Sequence, residues 1–186
     1  MTKKYIPAGR IILRDFVDED RAAFVGYQTD ARYRALYDLD NETSERANHL
    51  FDLFLNWQID TPRMRFQLGV FDHHGELLGN VGLRLSRPRE AEAGIELSPD
   101  NWGRYRLALD AIVALLRFGF IELRLSRIYG FTASGNRRVE RLARSLGAEI
   151  VRRRDGPDWM AKRGWCEVEW ELLASQHQKR VVGEAN

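Results

Sequence analysis

The sequence predicts an α/β chain built on a mixed sheet of about seven strands. Three observations carry this. Strand and helix patterns follow one another in the order strand, two or three helices, three strands, helix, strand, helix, two strands. Residues 65–97 show runs of alternating character separated by turn residues. Residues 104–123 carry Ile112, Val113, Leu115, Leu116, Phe118 and Phe120 almost all round a helix, as a helix buried against a sheet does.

The elements follow from local chemistry. Residues 10–16 read as the first strand, and Asp18, Glu19 and Asp20 after it suit a helix start. Residues 20–39 place Phe24, Tyr27, Tyr33, Leu36 and Tyr37 at near-helical spacing, with a break at Thr29 and Asp30. Thr43, Ser44 and Glu45 open an amphipathic helix whose Leu50, Phe51, Phe54, Leu55 and Ile59 recur at three- and four-residue steps until Pro62 stops it. Strands follow at 65–72, 77–85 and 91–97, with His73, His74 and Gly75 in the first hairpin loop. After the buried helix come a strand at 127–132, a helix at 136–146 closed by Gly147, and strands at 148–154 and 166–173. The run Asp155 to Asp158 reads as a mobile loop.

Length and composition bound the function. One domain spans 1–186, with flexible tails expected at about 1–8 and 176–186. The 44% apolar content supports a core, and 29 Lys and Arg against 27 Asp and Glu leave a net charge of only +2, which does not point to nucleic acid. One cysteine, Cys166, forms no internal disulfide and no multi-cysteine zinc site. The first residues lack the apolar run of a signal peptide and no run approaches a membrane span, so a cytoplasmic protein is expected, with no membrane partner and no metal.

The informative stretch is 94–148. Its first part, G-I-E-L-S-P-D-N-W-G-R-Y-R-L-A, runs from a strand into a helix start. A helix N-terminus carries unpaired N–H donors and positive potential, Gly103 permits a tight turn, and Arg104 and Arg106 add fixed charge. Those features suit a diphosphate, and they equally suit an ordinary turn with solvated arginines. On the preceding strand Glu90, Glu92 and Glu96 alternate, either as a solvated face or as a source of a base.

The P-D-x-W-G-R helix start, together with R-I-Y-G-F-T-A-S-G-N-R-R-V-E-R-L-A-R-S-L-G-A, resembles the GNAT acetyltransferases, and within them the branch that acetylates ribosomal-protein N-termini. The resemblance runs from Arg10 to about Ala174. It implies a strongly twisted central sheet flanked by helices on both faces, a V-shaped opening between two central parallel strands that holds acetyl-CoA, and an N-acetyltransferase in which a primary amine attacks the thioester directly. Ile95, Leu97 and Ser98 then lie on the strand whose backbone meets the pantetheine arm. Trp102, Gly103, Arg104, Tyr105, Arg106, Leu107 and Ala108 form the phosphate loop, and Asn136 matches the Asn that bonds pantetheine or a nearby water. Arg138, with Arg137, Arg141 and Arg144, is placed to meet the 3′-phosphate or simply to face solvent.

The pattern departs in two places. The central glycine of the phosphate loop is gone, whether the small positions fall on Tyr105 and Leu107 or on Arg106 and Ala108, and Val139 stands where this branch often has a thiolate-protonating Ser. Glu96 is the candidate general base, acting through water, and Tyr129 and Ser134 are candidate acids. Because of the two losses, a non-catalytic binding module, or transfer of another acyl group from CoA, stands as the alternative. The expected acceptor is a small-molecule amine or a protein N-terminal amine. In proteins of this resemblance the last strands often pair two copies, which leaves a homodimer open.

Overall fold

The structure, a computed structural model, describes residues 3–37 and 43–177. Residues 38–39 of the expected early helix, and the expected tail from 178 onward, lie outside the described residues. The chain divides into two compact units: the described parts of Met1–Arg84 with Ile95–Leu115, and of Leu85–Gly94 with Leu116–Asn186.

The first unit contains β1 (Tyr5–Ala8), β2 (Ile11–Asp15), α1 (Arg21–Gln28), α2 (Ala31–Tyr37), α3 (Ser44–Trp57), β3 (Arg65–Phe71), most of β4 (Leu77–Arg87), the end of β5 (Glu90–Leu97) and nearly all of α4 (Tyr105–Arg117). Its strands lie in the order β1-β2-β3-β4-β5. For residues 5–8, β1 replaces the tail expected at about 1–8. Tyr5 to Ala8 pair antiparallel with Arg14 to Ile11, and Gly9, at φ +63°, turns the chain between them. The Lys4 amide then donates to Asp15 Oδ2 at 2.8 Å. Pro7 is compatible with β1 because an edge strand has one side without a ladder.

The early helices begin and end where side chains satisfy backbone groups. Thr29 Oγ1 donates to the Val25 carbonyl at 2.8 Å as α1 closes, and Asp30 Oδ1 accepts from the Arg32 amide at 2.7 Å as α2 opens. Arg32 also bonds the Asp30 carboxylate, and that hydrogen bond holds the carboxyl down at about 2. Thr43 caps α3 by accepting from the Arg46 amide. Two short backward bonds, Gln58 N to Leu55 O and Ile59 N to Asn56 O, end that helix. Ile59 therefore leaves the expected apolar stripe and is 73% exposed. Phe16 stands at the centre of the core, with ring centroids 5.3 Å from Phe51, 5.8 Å from Phe54 and 5.9 Å from Phe24. Beside it Asp15 is buried and receives Arg63 through both carboxylate oxygens, at 2.6 and 2.9 Å.

The second unit holds the end of β4, the start of β5, β6 (Arg127–Ala133), α5 (Arg137–Ser145), β7 (Glu149–Arg154), α6 (Asp158–Ala161) and β8 (Glu167–Leu173), in the strand order β4-β5-β6-β8-β7. β5 and β6 run parallel and pair Glu90 to Glu92 with Arg127 to Tyr129; β6–β8 and β7–β8 are antiparallel, so the sheet is mixed. With β1 included, the described residues contribute eight strands rather than seven. On β8, Val168, Trp170 and Leu172 are buried, and Val168 and Trp170 cluster with Ala143 of α5. The alternate Glu169 and Glu171 bond Arg127, which also reaches Glu90 at 3.3 Å.

Two further differences from the sequence reading have local causes. The helix expected to run to residue 123 ends at Arg117 and passes into one wide turn, Phe118–Glu122. There the Leu123 amide reaches back five residues to the Phe118 carbonyl. The loop expected after Arg154 leads into α6, opened by the Met160 and Ala161 amides on the Pro157 carbonyl. No helix among the described residues is long and apolar enough to cross a membrane.

Candidate active site

The first unit gathers polar side chains around Glu96. From α1, Gln28 Nε2 donates to Glu96 Oε1 at 2.5 Å. From α2, the Tyr33 hydroxyl donates to Oε2 at 2.5 Å. From β4, Asn80 Nδ2 donates to Oε1 at 3.0 Å and to the Tyr27 hydroxyl oxygen at 2.5 Å. Gln67 of β3 donates to Asn80 Oδ1 at 2.5 Å. Gln28, Tyr33, Tyr27, Asn80 and Gln67 are all buried. The close approach needs Gly79, where a Cβ would stand 2.2 Å from the Glu96 carbonyl oxygen.

The electrostatics follow from the setting. Burial pushes the Glu96 carboxyl above its ordinary value, while hydrogen bonds from Tyr33, Tyr27, Asn80 and Gln28 pull the other way without cancelling it. Burial, reinforced by the Glu96 charge, pushes the Tyr27 hydroxyl well above its ordinary value. A carboxylate held by several donors, yet with raised affinity for a proton, has the chemistry of a fixed general base.

The loop after β5 is tightly tied. The Ser98 amide donates to the Leu78 carbonyl at 2.9 Å, Ser98 Oγ accepts from Asn101 at 2.8 Å, and the Trp102 indole donates to the Leu97 carbonyl at 2.9 Å. Arg104 bonds Asn101 Oδ1 at 2.5 Å. Ser98 and Trp102, both expected at a ligand, thus also build the turn that starts α4, while Ile95 is half-buried.

That turn fits a diphosphate. Gly103 is exposed at φ +85°, with no atom within 4 Å of where a Cβ would stand. The first-turn amides of a helix starting at Tyr105, those of Arg106 and Leu107 among them, have no acceptor within the helix. The Arg106 side chain is 85% exposed and reaches Asp110 only at 3.9 Å, so it does not fill the turn. Leu107 is buried; Tyr105 and Ala108 are half-buried. Exposed cations beside free amides and helix-dipole potential are what a phosphate diester pair requires.

The second unit places the other expected residues. Asn136 caps α5 by accepting from the Val139 amide at 3.3 Å, which leaves its Nδ2 as the donor. Arg138 is exposed on the first turn of α5. The Ser134 amide donates to the Cys166 carbonyl at 2.8 Å and Ser134 Oγ accepts from the Cys166 amide at 3.0 Å, so the hydroxyl proton is directed elsewhere. Tyr129 packs as a strand residue, with Phe131 at 5.7 Å and the Arg127 guanidinium 4.5 Å from its ring centre.

Glu96 is among the residues expected from the sequence; the side chains that hold it are not. Tyr27 and Tyr33 read as apolar helix positions, and Gln67 is only one residue of an alternating strand. One signal was present: Asn80 sits between apolar residues and glycines in L-L-G-N-V-G-L, where a polar side chain in a buried strand must find a partner.

A mixed α/β sheet, a helix start suited to diphosphate and a half-buried carboxylate held by several donors accord with an enzyme that uses a nucleotide thioester. The acetyltransferase (GNAT) domain family matches residues 10–149, and the chain belongs to that family. It transfers an acetyl group from acetyl-CoA to an amine. An uncharacterized N-acetyltransferase, YoaA, of Bacillus subtilis strain 168 is 29% identical over 141 residues, covering 74% of this chain and 78% of that protein. Among solved structures, the fold matches a spermidine N-acetyltransferase from Vibrio cholerae in complex with CoA and spermine, with TM-score 0.72, 18% identity, and 91% and 98% of the two chains covered. It also matches a ribosomal L7/L12 alpha-N-protein acetyltransferase, RimL, with TM-score 0.76, 13% identity, and 93% and 96% covered.

Proposed function

We propose that this enzyme acetylates a primary amine by direct attack on acetyl-CoA, with Glu96 as the general base acting through a water molecule. The observation that carries the reading is the Glu96 carboxylate, held by side chains from α1, α2 and β4 and raised in proton affinity by burial. An alkyl amine is protonated near neutral pH and must shed that proton before it can attack. Glu96 takes it; the fixed orientation saves the base from having to be ordered during the reaction.

Acetyl-CoA, when bound, supplies the thioester. The amides of Arg106 and Leu107, with Arg104 and Arg106, are proposed to hold its diphosphate. The backbone of Ile95 to Ser98 and Asn136 Nδ2 are proposed to meet its pantetheine arm, and Arg138 its 3′-phosphate. Of the two hydroxyls considered for the departing thiolate, Ser134 is favoured, because its oxygen accepts from Cys166 and its proton is left to donate. Tyr129 is engaged through its ring.

The acceptor is proposed to be a small polyamine or a protein N-terminal amine, since relatives in the fold include an enzyme of each kind. The ribosomal-protein branch is one of these two choices. A cytoplasmic setting and pairing of two copies through the last strands belong to the same reading. Thiol release from acetyl-CoA with spermidine, and with peptides starting in Ala or Ser, tests it. Turnover with one of them is expected; release no faster than without amine, despite a melting shift by acetyl-CoA, would contradict the acceptor assignment.

A further inference from the structure

Behind Glu96 lies a second layer of polar groups that the transfer itself does not use. Asn80 and Gln67 are 5% and 7% exposed, in strands otherwise rich in buried Leu, Val and Phe. Buried amides in such a setting are tolerated when they are bonded to one another, and each bond here has a direction. Gln67 Nε2 donates to Asn80 Oδ1, so the oxygen of Asn80 is committed to β3. Only its nitrogen is then turned toward the Tyr27 hydroxyl and Glu96 Oε1. A half-turn of the Asn80 amide would set oxygen against carboxylate on one side and nitrogen against nitrogen on the other. The backbone accommodates the pair: Gly82 stands opposite Gln67 in the strand register, and a Cβ there would lie 2.5 Å from Gln67 Oε1.

We infer that Gln67 and Asn80 are positioning residues for Glu96: Gln67 fixes the sense of the Asn80 amide, and Asn80 in turn fixes the carboxylate. Their part in acetyl transfer rests on Glu96 being the base proposed above. Both amides are buried and act through the carboxylate. Among the described residues, the titratable groups bonded to Glu96 are Tyr27 of α1 and Tyr33 of α2; α1 adds the Gln28 amide, and β4 contributes only Asn80. Losing the Asn80 donor leaves the carboxylate harder to ionise, so a displaced amide makes the base available only at higher pH.

Two variants disturb the layer by independent routes. Gln67→Leu deletes the donor that fixes Asn80, and Gly82→Ala pushes Gln67 aside without removing a polar group. The first readout is a carbon-13 carboxyl titration of the labelled protein, with the Glu96 signal assigned by its loss in Glu96→Gln. The second is kcat against pH with acetyl-CoA and spermidine. The Glu96 midpoint is expected to move to higher pH in both variants, and kcat on the acid side to fall about tenfold, recovering in base. The melting shift given by acetyl-CoA should stay as in the native enzyme. An unmoved midpoint in both variants overturns the inference. A moved midpoint in an enzyme whose Glu96→Gln form still turns over spermidine at the native rate removes the base role instead, and leaves the positioning of the carboxylate standing.

Discussion

Tyr33→Phe probes the carboxylate most cleanly, because it deletes one oxygen and keeps the ring. Tyr33 is 6% exposed and packs edge-on against Tyr27 at 6.0 Å, so Phe retains that packing. What is lost is the hydroxyl donor 2.5 Å from Glu96 Oε2. A hydrogen bond to a charged group contributes about 1.5–3 kcal/mol. The sign of the pH dependence follows from burial, which sets the folded pKa of Glu96 above its unfolded value. Its contribution to stability is therefore fully present below the unfolded value and lost as pH rises through the folded one. Removing the Tyr33 donor raises the folded value further. Wherever the pH is high enough to ionise Glu96 in the native chain, the variant should accordingly be about 1.5–3 kcal/mol less stable, and pH 8 is taken as the alkaline arm. Below the raised folded value both folded proteins carry a neutral carboxyl, and the gap should narrow. Urea unfolding at pH 8 and near pH 4 reads both numbers. A difference that is the same at the two pH values, or larger in acid, would refute the idea that Tyr33 serves an ionised carboxylate.

Three further outcomes are expected. Arg63→Met should destabilise the protein by about 3–5 kcal/mol in denaturant unfolding, because Asp15 is left charged and buried without its bidentate partner. Gly79→Ala forces a Cβ to within 2.2 Å of the Glu96 carbonyl oxygen, a backbone atom that cannot swing aside; a loss of about 1–3 kcal/mol and a lowered kcat are expected, by urea unfolding and thiol release. Arg106→Ala should leave the melting point of the free protein within about a degree, since the side chain is exposed, yet weaken acetyl-CoA several-fold in a thermal-shift titration.

Much of the fold was written locally. The break between α1 and α2 falls at Thr29 and Asp30 because both side chains bond nearby backbone, and Thr43, Asn136 and Gly147 mark helix ends through the same short-range chemistry. β1 escaped notice because four residues with a proline make a weak strand pattern until β2 pairs with them. Ile59 misled because helical periodicity does not say where the last turn tightens. In the site, Glu96 was legible as one of several alternating carboxylates. Its partners were not, since Gln28, Tyr33 and Asn80 lie 68, 63 and 16 residues away and no short pattern links such positions. Gln67 stays inconspicuous in the sequence for a different reason. β3 is buried on both sides beyond its first residue, so alternation along it did not mean an outward face.

Glu96→Gln keeps the size of the side chain and removes the base, which makes its kcat the most direct measure of the catalytic account. With saturating acetyl-CoA and the amine that shows turnover in the native enzyme, kcat is expected to fall by about 10²–10⁴ while acetyl-CoA still raises the melting point. A kcat within a few-fold of the native value would show that the proton leaves by another route.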